Sequence, residues 1–134
     1  MFLDTSSLIE DDFSMVYENS TLEDVIKKLA KSRRNLFPVI DFDGVLCGVV
    51  TLDDIRRDMF DTEKYDQPIS DYMTIPPALI QVNEPMTSVL EKFEASGAWN
   101  LPVVDDGERY LGFVSKSKIF SAYRDQLLEI TDKE

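Results

Sequence analysis

The 134-residue chain contains no histidine, one cysteine, one tryptophan and five glycines. Without histidine it lacks the usual proton shuttle near neutral pH, the usual activator of a nucleophile and the usual zinc ligand. A single cysteine, Cys47, allows no disulfide within the chain, which fits a reducing, cytosolic setting. Its apolar surroundings, VLCGVV, suit a buried structural thiol better than a nucleophile. No apolar run approaches the ~18 residues of a membrane span, and no signal peptide is visible. Bases are also scarce, at 14 against 26 acids, for a net charge of −12. Such a surface repels nucleic-acid backbones, and an anionic ligand would need a local positive pocket. There is no phosphate loop of the GxxxxGK type, no cysteine cluster and no nucleophile beside a base, so no enzymatic activity is expected and no metal site is assigned. Asp53/Asp54 and Asp105/Asp106 are chain neighbours that would point apart rather than share a proton.

What the chain does have is an internal repeat. At 43% hydrophobic and 30% charged it reads as an ordinary folded protein. Shifted by 64 residues, NLFPVID (35–41) falls on WNLPVVD (99–105), and GVVTLDDI (48–55) falls on GFVSKSKI (112–119). Pro38 then meets Pro102, Gly48 meets Gly112, Thr51 meets Ser115, and Lys28 meets Lys92. Asp54, however, meets Lys118.

Each copy reads strand, helix, strand, turn, strand, helix. FSMVY (13–17) is a short apolar strand, and Ser20-Thr21-Leu22-Glu23 offers a capping box with Ser20 as N-cap. Leu22, Val25, Ile26 and Leu29 form one helical face, FPVID is a buried-type strand, Asp43-Gly44 a turn, and VLCGVV a strand feeding a helix from Thr51. The second copy runs LIQV (79–82), a helix with Pro85 in its first turn, LPVVD, Asp106-Gly107, YLGFV and a long last helix to about residue 130. The expected boundaries are an acidic linker over 1–12, repeats over 13–66 and 67–130, and a tail over 131–134. Each half, at about 60 residues, is too small to bury its sheet well alone. The expectation is an α/β fold of two pseudo-symmetric repeats packed sheet to sheet, with clefts between them.

The doubled unit, FPVID/LPVVD and GVVTLDD/GFVSKSK together resemble a tandem pair of CBS domains, a Bateman module, from Phe13 to Leu127. RNLFPVID, LDDIRRDMF, AWNLPVVD and YLGFVSKSKIFSAYRDQL further resemble the CBS pair that follows the membrane domain of bacterial CLC chloride channels and transporters. That resemblance implies a cytoplasmic regulatory domain of a bacterial inner-membrane protein, working as a homodimer beside a transmembrane transport domain.

CBS pairs commonly bind AMP, ADP, ATP or S-adenosylmethionine through a Gly-h-h-Thr/Ser-x-x-Asp stretch. The chemistry fits: an ionised Asp accepts hydrogen bonds from adjacent ribose hydroxyls, and a hydroxyl with free N–H groups at a helix start suits phosphate. By resemblance, one cleft would unite Thr51 and Asp54 with Ala78, Leu79 and Ile80 against adenine, and with Trp99 and Asn100 at its edge or near the phosphates. The other, degenerate cleft would unite Met15, Val16, Arg34 and Asn35 with Ser115 and Lys118. A lysine cannot accept hydrogen bonds, so ribose binding there should be weak. No cofactor is required; the ligand would be an adenine nucleotide.

Plainer readings stand beside these. Thr51 to Asp54 is also a helix start with acids in its first turn. Trp99 suits packing as well as base stacking, and Arg33-Arg34 suits a solvated helix end. Phe120 and Tyr123 suit a core or dimer surface, and Glu10-Asp11-Asp12 a linker or a weak divalent-ion site. Two functions remain: a nucleotide-sensing module, or a ligand-free dimerisation module of a transport protein.

Overall fold

The computed structural model describes residues 3–132. Its elements follow the repeat: β1 (Val16–Tyr17), α1 (Leu22–Lys31), β2 (Leu36–Ile40), β3 (Leu46–Thr51) and α2 (Leu52–Ile55), then β4 (Ile80–Gln81), α3 (Met86–Ser96), β5 (Asn100–Val104), β6 (Tyr110–Ser115) and α4 (Lys116–Asp132). Two three-stranded sheets result, ordered β1-β2-β3 and β4-β5-β6. The register repeats as well. Val16 lies opposite Val39 in the parallel β1–β2 pair, and Ile80 opposite Val103 in the parallel β4–β5 pair.

The chain forms two compact units. One comprises Asp12–Pro76 with Gly107–Tyr110; the other comprises the chain up to Asp11, Pro77–Asp106 and everything from Leu111 onward. The first unit closes on Val16, Leu22, Val25, Phe37, Val39, Val50, Ile55 and Ile69. The second closes on Leu8, Ile80, Val89, Phe93, Leu101, Val103, Val114 and Ile119. The apolar residues of α1 and α3 recur at helical spacing, and the strands are buried nearly end to end, so each sheet gains a covered face.

Each unit also takes in a short segment from elsewhere in the chain. Thr74 docks antiparallel on β3 through Val49, with N–H···O bonds of 2.8 and 2.9 Å in the two directions. Glu10 docks in the same way on β6 through Phe113, at 2.7 and 2.9 Å. Residues 10 and 74 are again 64 apart. The stretch expected to be an acidic linker therefore carries structure: Thr5–Leu8 is a turn of 3-10 helix, and Thr5 and Leu8 are buried. The expected tail begins inside α4, and residues 133–134 lie outside the described residues.

Three local expectations shift. The α1 N-cap is Thr21, not Ser20: Thr21 Oγ1 accepts from Asp24 N–H at 3.3 Å, and Asp24 Oδ2 accepts from Thr21 N–H at 2.9 Å. Ser20 is committed elsewhere, its N–H donating to the Tyr17 carbonyl and its own carbonyl accepting from Ile69 N–H. Pro85 has extended ψ (144°) and stands at the N-cap of α3, one residue before its first turn. The FSMVY strand shortens to two residues, with Phe13 buried beneath the Arg34 guanidinium, 4.3 Å from its ring centre.

Candidate functional site

In the first unit, Thr51 and Asp54 close on each other. The Asp54 carboxylate accepts the Thr51 N–H at 2.8 Å and its hydroxyl at 3.0 Å, both on Oδ2. Thr51 Oγ1 in turn accepts the Asp54 N–H at 3.3 Å. This is a complete capping box, so the helix-start reading is realised in full. Both carboxylate contacts fall on Oδ2, and Asp54 is only half-buried.

The matching position in the second unit keeps the cap and changes the acid. Ser115 Oγ accepts from Lys118 N–H at 3.1 Å, as Thr51 does from Asp54. Lys118 is exposed. The Ser115 hydroxyl lies 3.4 Å from Glu10 Oε1, a carboxylate carried in by the docked N-terminal segment. No residue near 115 in sequence signals this contact.

Arg34 is held by Asp12, with Arg34–Asp12 distances of 2.8, 3.0 and 3.2 Å, in the bidentate geometry guanidinium and carboxylate favour. Arg34, expected in the degenerate cleft, thus already has an anion beside it. Met15 is exposed, Val16 is in the core, and the Asn35 carbonyl accepts the N–H of Leu52 at 2.9 Å.

The other nominated residues lie in the second unit. Ile80 is fully buried and offers only backbone, while Ala78 is half-buried against the core. The Leu79 carbonyl accepts from Lys92 Nζ at 2.6 Å. Asn100 is exposed at the start of β5. Trp99 is 69% exposed. Its carbonyl accepts Lys116 N–H at 2.9 Å, repeating the Asn35–Leu52 bond, and Lys116 Nζ stands 5.5 Å from the ring centre, within cation–π range. Lys116 was missed from sequence, although it directly follows the Ser115 cap.

Cys47 Sγ donates to Glu18 Oε2 at 3.4 Å. Cys47 is half-buried, not buried as the apolar run around it suggests, because Glu18 and the Val45 carbonyl stand beside its sulfur. Burial, then the Glu18 hydrogen bond and the charges of Glu18 and Asp41, push its thiol up to about 11. Among the described residues no group of three acid or cysteine side chains could hold a metal ion, and no helix is long and apolar enough to cross a membrane.

Repeated sheets, repeated registers and repeated caps define a protein built from two copies of one small α/β unit. The sequence matches the family described as "CBS domain" twice, over residues 6–61 and 69–125, and the chain belongs to that family as a tandem pair. It is similar to an L-aspartate semialdehyde sulfurtransferase of Methanocaldococcus jannaschii, 29% identical over 77% of this chain. The chain spans only 20% of that enzyme's length. Among solved structures it resembles CbpB in complex with c-di-AMP, at a TM-score of 0.82 and 20% identity, covering all of this chain and 91% of the other. It also resembles the CBS domain pair of protein MJ0100 in complex with 5′-methylthioadenosine and S-adenosyl-L-methionine, at 0.73 and 24% identity, covering 94% and 99%.

Proposed function

We propose that this chain is a non-enzymatic regulatory module that binds an adenine nucleotide at Thr51 and Asp54. The ligands in the two complexes above share an adenosine moiety, and both proteins have this fold. The observation that carries the reading is the Asp54 carboxylate: Thr51 fixes its orientation through Oδ2, leaving Oδ1 to accept from a ribose hydroxyl. The Thr51 hydroxyl is spent on that orientation, so its role is to aim the acid rather than to bind phosphate. In this reading the backbone of Ala78, Leu79 and Ile80 meets the base, with Trp99 and Asn100 beside the base or the phosphates. The second set (Met15, Val16, Arg34, Asn35, Ser115 and Lys118) binds ribose weakly, because Lys118 offers no acceptor in place of Asp54. One nucleotide per chain follows. Its binding would shift the module between two states by its differential affinity for them.

Melting the protein with AMP, ADP, ATP, S-adenosylmethionine and c-di-AMP, with and without magnesium, tests the reading. A ligand at about 100 times its dissociation constant adds roughly 2.7 kcal/mol, a shift of several degrees. A shift that disappears in Asp54→Ala supports the site, and no shift with any ligand overturns it.

Control of an attached chloride channel or transporter rests on the sequence resemblance alone; none of the proteins reported above is such a channel. Nucleotide-dependent chloride flux through the parent protein would support it, and a parent chain without a membrane domain would overturn it. A second reading, a ligand-free dimerisation module, is favoured by α4, where Leu127, Leu128 and Ile130 are exposed. It predicts a dimer at low concentration and no nucleotide response.

A further inference from the structure

Lys28 and Lys92 occupy the same place in the repeat and make the same unusual contact. Lys28 Nζ donates to the Met15 carbonyl at 2.7 Å, and Lys92 Nζ to the Leu79 carbonyl at 2.6 Å. Each carbonyl immediately precedes the first strand of its repeat, and each of those strands, β1 and β4, is only two residues long. So short a pairing leaves the entering backbone few bonds to hold it, and a cation on the neighbouring helix supplies a further tie.

The second repeat adds an anion to the tie and the first does not. Glu84, whose side chain is 8% exposed, accepts from Lys92 Nζ at 2.8 Å and from the Gln81 N–H at 3.1 Å, and also takes the Ser88 hydroxyl. The Glu84 carbonyl accepts the hydroxyl of buried Thr5 at 3.0 Å. Leu79 C=O and Gln81 N–H flank Ile80, so one part-buried ion pair grips the backbone on both sides of it. In the first repeat the matching positions are Ser20 and Asp24, and the Asp24 carboxylate is turned to Thr21 N–H. Among the described residues, Lys28 has its carbonyl and no carboxylate.

We propose that Lys92, aimed by Glu84, is the positioning residue of the nucleotide site: it sets the 79–81 backbone before ligand arrives, whereas Lys28 has no equal role at 15–17. This rests on the reading that residues 78–80 meet the base. A backbone ordered in advance spares the ligand the free energy of ordering it.

The test compares Lys92→Ala, Lys92→Arg and Lys28→Ala with the wild type. Amide exchange is followed at Gln81, with Val25 of α1 as reference, and AMP and S-adenosylmethionine affinities are measured by calorimetry. We expect Lys92→Ala to speed exchange at Gln81 about tenfold relative to Val25. We expect it to weaken nucleotide binding about tenfold, the worth of one charge-assisted hydrogen bond. Arginine at 92 should restore both, and Lys28→Ala should leave affinity within about twofold. If Lys92→Ala does not fold, Glu84→Gln carries the same comparison. Unchanged exchange at Gln81 overturns the clamp. Faster exchange with unchanged affinity overturns the positioning role, and equal losses in Lys28→Ala overturn the asymmetry. A wild-type protein that binds no nucleotide overturns the site reading and the positioning role together, while the exchange rates still judge the clamp by itself.

Discussion

Asp54 accepts both the N–H and the hydroxyl of Thr51 on a single oxygen, so one carboxylate caps α2 and keeps its second oxygen for another donor. The two duties separate experimentally. Asp54→Ala should lose the side-chain half of the capping box, at about 1 kcal/mol, and all nucleotide binding. Thr51→Ala should cost about the same in stability, yet weaken binding only as far as it releases the carboxylate's aim. Denaturation without ligand, followed by ligand-induced melting shifts, reads the two effects independently. Equal binding losses with no stability loss in either variant would contradict the shared role.

The glycines that open the repeated stretch mark where the docked segments cross the sheets. A Cβ on Gly112 would lie 2.5 Å from Ile9 Cγ2 and 2.6 Å from the Glu10 carbonyl oxygen, at a φ of +153° that L side chains rarely adopt. On Gly48 it would lie 2.9 Å from both Met73 Sδ and the Thr74 carbonyl oxygen. Gly112→Ala should therefore cost more than Gly48→Ala, because one clash partner at 48 is the movable end of a side chain and the φ there is ordinary. We expect at least ~2 kcal/mol for Gly112→Ala, from overpacking and backbone strain, measured by urea denaturation. A loss below that of Gly48→Ala would count against the docked geometry.

The repeat made most of this fold legible, because the strands and the helices α1 and α3 are written at one spacing and errors in one copy are checked by the other. What slipped was settled at long range. Ser20-x-x-Glu23 and Thr21-x-x-Asp24 both satisfy a capping box, and only the bonds of Ser20 to Tyr17 and Ile69 choose between them. The docking of Glu10 on Phe113 joins residues 103 positions apart through one pair of bonds, which no local pattern announces. The Thr51–Asp54 cap was readable because it is local. Pairing of Arg34 with Asp12 was not, since a charge 22 residues away competes with solvent and with any ligand until the fold brings it close. Lys28 and Lys92 were visible as a matched pair, but their carbonyl partners were not, since a carbonyl leaves no trace in residue identity.

Cys47 should be slow to react. Its thiol is pushed up to about 11, chiefly by burial and then by Glu18, so almost none is thiolate at pH 8. Iodoacetamide should modify the native protein far more slowly than a free thiol at that pH, and Glu18→Ala should accelerate the reaction by removing both the hydrogen bond and the charge. A native rate equal to that of the unfolded chain would refute the structural assignment.

Glu84 gives the fold an acid limit. Burial alone would raise its carboxyl, but the hydrogen bonds from Lys92, Ser88 and the Gln81 N–H outweigh it and hold it below the ordinary 4.5. A carboxyl lower in the folded than in the unfolded state stabilises at pH values above the unfolded value, and that stability is lost as pH falls through the folded one. At pH 7 the wild type should exceed Glu84→Gln by about 1–3 kcal/mol, since glutamine leaves Lys92 without its counter-ion. As pH falls through the lowered folded value of Glu84 the difference should shrink, because protonated Glu84 and glutamine are alike in charge. Urea midpoints of both proteins from pH 7 to pH 3 measure this directly. Curves that stay parallel across the range would mean that the ion pair adds nothing to the fold, and that Gln81 and Leu79 are held by the sheet alone.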